Sequence, residues 1–132
     1  MGMIRILDDS FRATTDMSAL QFAPLKLGAK GYVAVCAAAT DEVYGLLYNK
    51  PKAGDAAEVV TFGRYSALVD GSGTAIAVGD LLGLNAAGTM LVKKATADNL
   101  ICARALDVCT IANGVIDVLI FGGIRVPWRT LT

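Results

Sequence analysis

Ala57-Glu58-Val59-Val60-Thr61-Phe62-Gly63-Arg64-Tyr65-Ser66-Ala67-Leu68-Val69 is the run on which the fold turns. Val, Thr, Phe and Tyr suit a pleated, half-buried surface, so Ala57–Phe62 reads as a strand. Gly63 marks a bulge or bend within it, and Tyr65–Val69 continue the run. Phe62 and Tyr65 have opposite parity along a regular strand, so one is expected to face the core.

Working outward, Gly31–Ala37 and Val43–Tyr48 are shorter strand candidates, separated by the polar break Thr40-Asp41-Glu42. Downstream of Gly71-Ser72-Gly73 come Ala75–Val78, Leu81–Leu84 and, after the Asn85–Gly88 turn, Thr89–Lys93. The last pair, Leu100–Ile111 and Val115–Phe121, is joined through Asn113-Gly114. That dipeptide predicts a type I′ hairpin turn, which needs positive φ at both positions. Ala97–Val108 could also form a helix capped by Thr96, but it flows directly into Cys109-Thr110-Ile111, which favours a strand. Ala53-Gly54-Asp55 and Val78-Gly79-Asp80 echo one another as turns, which is too few copies to establish a repeat. Short strands spaced by Gly-rich turns predict one mainly β domain, a small sandwich or barrel.

The texture differs at the start. Residues 1–27 mix charges and Thr with scattered apolar residues; Thr15 could cap a short turn over Asp16–Leu20, Pro24 stops anything longer, and an extended arm and a short helix both fit. Ile4, Ile6, Leu7, Phe11, Met17, Leu20 and Phe22 are too many apolar side chains for a disordered tail. The division expected is therefore an extended arm over 1–27, lying on its own domain or a neighbour, and a β domain over 28–132.

Composition narrows the function. Apolar residues make up 55% of the 132 and charged ones only 18%, against about 45–50% and 25% in ordinary soluble domains. Burying that surplus between copies is the simplest solution, because obligate interfaces resemble a core cut in half. The run Val115–Gly123 is too short to span a bilayer and is interrupted by Asp117, and residues 1–9 lack the apolar run of a signal peptide, so a soluble protein made in the cytoplasm is expected. Twelve basic residues balance twelve acidic ones, so the basic surplus that drives nucleic-acid binding is missing.

Catalytic equipment is sparse. Histidine is absent, which removes the commonest general base and metal ligand. Cys36, Cys102 and Cys109 lack zinc spacing and read as small buried apolar residues. Asp8-Asp9 and Asp41-Glu42 read as solvated acids, and Ser66 or Ser72 with Lys93 or Lys94 has no motif to support it. Gly83–Thr89 lacks the lysine of a phosphate loop and reads as a hairpin turn. No enzyme, cofactor or metal is expected. A nucleic-acid reading would rest on Phe62, Arg64 and Tyr65 stacking bases; a small β-barrel binding module for single-stranded nucleic acid or a small ligand is the rival from another class.

The order of pieces from Leu27 to Val126 resembles the capsid decoration (cement) proteins of tailed phages, small β domains described as tulip-like. The resemblance lies in the early strand Gly31–Ala37, the turn Ala53-Gly54-Asp55, and the long run Glu58–Leu68 with its central glycine. It continues in Val78-Gly79-Asp80-Leu81-Leu82, in Asn85-Ala86-Ala87-Gly88 and a strand, and in the closing pair Ile101–Ala105 and Val115–Phe121. The longer N-terminal arm and the tail Arg125–Arg129 depart from the family pattern. Membership implies a homotrimer on the outer surface of the virion that stabilises the major capsid protein lattice, with the arm reaching onto major capsid protein subunits. Trp128, the only tryptophan, is either an interface hot spot or a cap on the bottom of its own barrel. Another head or tail structural subunit of similar build is the nearer alternative.

Overall fold

A computed structural model of the chain describes the backbone of residues 5–94 and 100–125 and the side chains of 11–94 and 100–121. The strands are β1 (Arg5–Ala13), β2 (Pro24–Leu27), β3 (Tyr32–Val35), β4 (Gly45–Leu47), β5 (Ala56–Val69), β6 (Leu81–Leu84), β7 (Leu91–Lys93), β8 (Leu100–Ala105) and β9 (Gly114–Arg125). No helix occurs among the described residues. The expected mainly β, barrel-like fold is what the chain adopts.

The long central run is one strand, β5, and it belongs to two closed rings. The first ring pairs β1 with β3, β3 with β2, β2 with β4, β4 with β5, and β5 back to β1. In the second, β5 pairs with β7, β7 with β6, β6 with β8, β8 with β9, and β9 back to β5. Gly63 sits where the rings meet, opposite Arg5 of β1 and Ile120 of β9. Its φ of 112° is one that side-chain-bearing residues avoid, which explains a glycine at the centre of an otherwise bulky strand.

Each ring encloses its own core. Met17, Leu25, Val33, Leu47, Ala57 and Val59 fill the first. The larger second cluster includes Tyr65, Ala67, Val69, Leu82, Leu84, Leu91, Ile116, Val118 and Ile120. Ala57, Val59, Tyr65, Ala67 and Val69 are all buried, so the odd positions of β5 face inward through both rings. Tyr65 is therefore the core aromatic and Phe62 the outward one.

Every strand of the second ring occupies the place of a first-ring strand four positions earlier. The hands agree: β1–β3 and β5–β7 are parallel, and the other pairs of both rings are antiparallel. The turns agree as well. Before β2, Ala23 N–H donates to Leu20 C=O at 3.0 Å, and before β6, Asp80 N–H donates to Ala77 C=O at 3.1 Å. The residue ahead of each donor has positive φ, 75° at Phe22 and 93° at Gly79. An internal duplication is thus present, although the Gly-Asp echo does not mark it: Gly54-Asp55 precedes β5, whereas Gly79-Asp80 precedes β6.

Several sequence expectations are refined. Of the arm expected over 1–27, Arg5–Ala13 lies on the chain's own domain as β1, hydrogen-bonded along β5 from Arg5 to Arg12, and position 27/28 falls inside the β2–β3 hairpin. The Leu100–Ile111 strand ends at Ala105, and Ala75–Val78 contributes only an isolated bridge between Ile76 and Cys109. Asn113-Gly114 is not a two-residue hairpin turn, because only Asn113 has positive φ, 57°. Gly114 answers to space: a Cβ there would stand 2.6 Å from Cys109 Sγ. Over the described part of 97–108 the favoured strand forms, from Leu100 to Ala105, and not the helix alternative.

Three aspartates close turns in the same way. Asp41, Asp55 and Asp80 each accept from the backbone N–H three residues earlier, at Ala38, Lys52 and Ala77. Asp41 also accepts from Ala37 N–H at 2.7 Å and pairs with Lys26 at 3.2 Å.

Two predictions follow from these contacts. Gly45→Ala would place a Cβ 2.5 Å from the Val60 carbonyl oxygen and from Val59 Cγ1, an overpacking expected to cost about 1–3 kcal/mol in urea denaturation. Gly73→Ala, with nothing within 4 Å, should leave the midpoint unchanged. The Ala37 N–H holds the Asp41 carboxyl below its ordinary value, with Lys26 adding to the effect. A carboxylate lowered on folding stabilises above the unfolded-state pKa of about 3.9 and loses that contribution as pH falls through the folded value. Asp41→Asn should therefore lower the melting temperature at pH 7, and the difference from the unaltered protein should shrink as pH falls through the folded value.

Candidate interaction surfaces

Among the described residues no charged side chain is buried, and the hydroxyl of buried Tyr65 donates to the Leu47 and Tyr48 carbonyls at 3.5 and 3.3 Å. Burial pushes the Cys36 and Cys102 thiols up to about 12, with nearby Asp41 adding to the effect at Cys36 and Cys36 adding to it at Cys102. Cys109 Sγ lies 3.2 Å from the Ile111 carbonyl. Ser66 and Ser72 donate to Asp117 and Asp70, while Lys93 pairs with Asp80 at 3.8 Å. Asp8 and Asp9 lie on β1 opposite Val60 and Val59. No group of three or more His, Cys, Asp and Glu that could hold a metal occurs among the described residues. An open cleft of about 280 Å³, lined by Lys26, Leu27, Glu42, Val43 and Tyr44, is shallow and accessible to water. No helix among the described residues is long and apolar enough to cross a membrane.

What the molecule presents is apolar surface on rigid supports. The first such surface is the tip of the second ring. Val78, Val108 and Ile111 are 65%, 59% and 63% exposed, with Leu106 beside them. Loops usually move, but these are fastened. Ile76 and Cys109 exchange both backbone hydrogen bonds, at 2.9 and 3.0 Å, and Gly71 N–H donates to Ile111 C=O at 2.9 Å. Gly79 N–H donates to Ala105 C=O at 2.8 Å, and Arg104 Nη1 donates to Gly79 C=O at the same distance.

The second surface is the outer face of β5 and β9. Register places Arg64 opposite Leu119, Ser66 opposite Asp117 and Leu68 opposite Val115. Phe62, Val115 and Leu119 are exposed there, and Phe121 is partly so. At its centre the Arg64 guanidinium meets the Asp117 carboxylate at 2.8 Å, and the Ser66 hydroxyl donates to the same carboxylate at 3.3 Å. With Tyr65 turned inward and Arg64 occupied by Asp117, the grouping proposed for base stacking is not assembled.

Of the residues nominated from the sequence, those with described side chains pack in or on the two cores. Met17 is wholly buried in the first core, with Phe11 and Leu20 packed on it. Phe22 packs on the second core, its ring 5.6 Å from that of Tyr65. Phe11 meets Tyr44 edge-on at 5.4 Å. Ile6 and Leu7 lie on β1, their side chains outside the described set, and Ile4 and Trp128 lie outside the described residues. Sequence reasoning missed the tip. Its signal was a loop rich in Val, Leu and Ile, read instead as a continuation of β8.

No family model matches the chain, and neither does any curated protein. Among solved structures it is similar to the N base of the head fiber protein gp8.5 of bacteriophage phi29. The TM-score is 0.59 at 17% sequence identity, over 93% of this chain and 98% of that one.

The buried thiols give a direct check. Cys36 and Cys102 should resist alkylation by iodoacetamide at pH 8 in the native protein and react fully in denaturant, read by peptide mass spectrometry.

Proposed function

We propose that the chain is a structural protein of a tailed-phage head, a homotrimeric decoration protein on the outer surface of the virion. It binds the major capsid protein lattice and stabilises it, and it catalyses nothing. The observation that carries this reading is the likeness in fold to a head fiber base along nearly the whole of both chains. The fastened apolar tip, a described interior without charged side chains and the balanced charge all agree with it.

In this reading the tip is the end that docks. Val78, Val108 and Ile111 insert into a seam between capsid subunits. Because their loops are already ordered, association loses little conformational freedom. Binding to the assembled lattice but not to its dissociated subunits then stabilises the shell by mass action. The bound surface is apolar and the chain carries no net charge, so attachment should depend weakly on salt.

The test is co-sedimentation with undecorated heads of the phage that encodes the chain. The purified protein should pellet with the heads and raise their melting temperature. The Val108→Asp/Ile111→Asp variant, altered only at exposed positions, should keep its own melting temperature and lose binding at least tenfold. Failure of the unaltered protein to pellet with heads would refute the head assignment. Undiminished binding by the variant would move the docking site away from the tip.

A further inference from the structure

We infer that copies of this chain meet through the outer face of β5 and β9, around Phe62 and Leu119 and the Arg64–Asp117 pair. This rests on the self-association proposed above and names the surface that performs it. Phe62 and Leu119 are large, apolar and exposed on paired strands, with Phe121 alongside, at the level where the two rings join. Strand positions are held by backbone hydrogen bonds on both sides, so this surface is ordered before any partner arrives.

Charge identifies the occupant. The face carries one cation and one anion, Arg64 and Asp117, bonded to each other across the two strands. A strongly acidic or basic partner would find no net countercharge here. A second copy fits, because the face is a dipole without net charge, and rotating one copy against another brings Arg64 of the first beside Asp117 of the second. Both side chains remain partly exposed, 51% and 39%, and can share hydrogen bonds with a neighbour without breaking their own. The whole chain balances twelve basic against twelve acidic residues, so no long-range repulsion opposes association.

The experiment is light scattering on the purified full chain, with Leu119→Glu and Phe62→Glu as two independent variants and circular-dichroism melts as the control for folding. The unaltered chain should give a multiple of its 13.7 kDa mass. A folded variant of either kind should give the single-chain mass at the same concentration. An oligomer that persists in both folded variants overturns the assignment of this face while leaving self-association intact. An unaltered chain that is monomeric at micromolar concentration overturns the self-association reading itself, and this face with it. Should one variant fail to fold, the other decides.

Discussion

The structure depends on one strand serving two rings. β5 closes the first barrel with its N-terminal half and the second with its C-terminal half, and the exchange happens at Gly63. A strand that kept a uniform backbone through this point would have to satisfy β1 and β9 with one twist. The positive φ of Gly63 lets the strand change course while its odd positions stay inward on both sides. Val60, between the two odd-numbered stretches, is buried in the second core. Everything outward of that strand, including the Phe62–Arg64–Ser66 row, follows from which parity is used up inside.

The same economy decides where apolar surface is left over. Small rings are filled by a few residues per strand, so a chain this rich in Val, Leu and Ile has more apolar side chains than its two interiors can take. The excess emerges at the tip of the second ring and along β5 and β9, while no charged side chain is buried among the described residues. Backbone hydrogen bonds fix both places.

Much of the fold was legible because strand and turn signals are local. Val, Thr, Tyr and Phe runs located β3 to β7, and glycines with positive φ, such as Gly54, Gly79 and Gly88, marked turns. β1 was missed because Arg5, Asp8, Asp9 and Arg12 dilute its apolar pattern, and because its pairing with β5 spans about fifty residues that no local reading can connect. The duplication escaped notice for a related reason. Its two halves share pairing geometry and turn hydrogen bonds, and where one uses Gly79 the other uses Phe22 in the same left-handed conformation. The tip was misread because residues that favour strands can equally serve as exposed loop side chains, and sequence does not distinguish the two without knowing that β8 stops at Ala105.

Sharing β5 also governs how the molecule comes apart and forms. Two domains joined by a linker can melt one after the other, but neither ring here is complete without the strand it lends to its neighbour. Loss of either core strips β5 of partners on that half and frees it to fray into the other, so both should be lost in a single cooperative transition. Assembly carries the matching burden. The closures β1–β5 and β5–β9 join segments distant in sequence, and such contact order places folding in the slow, millisecond-to-second regime of non-local β proteins.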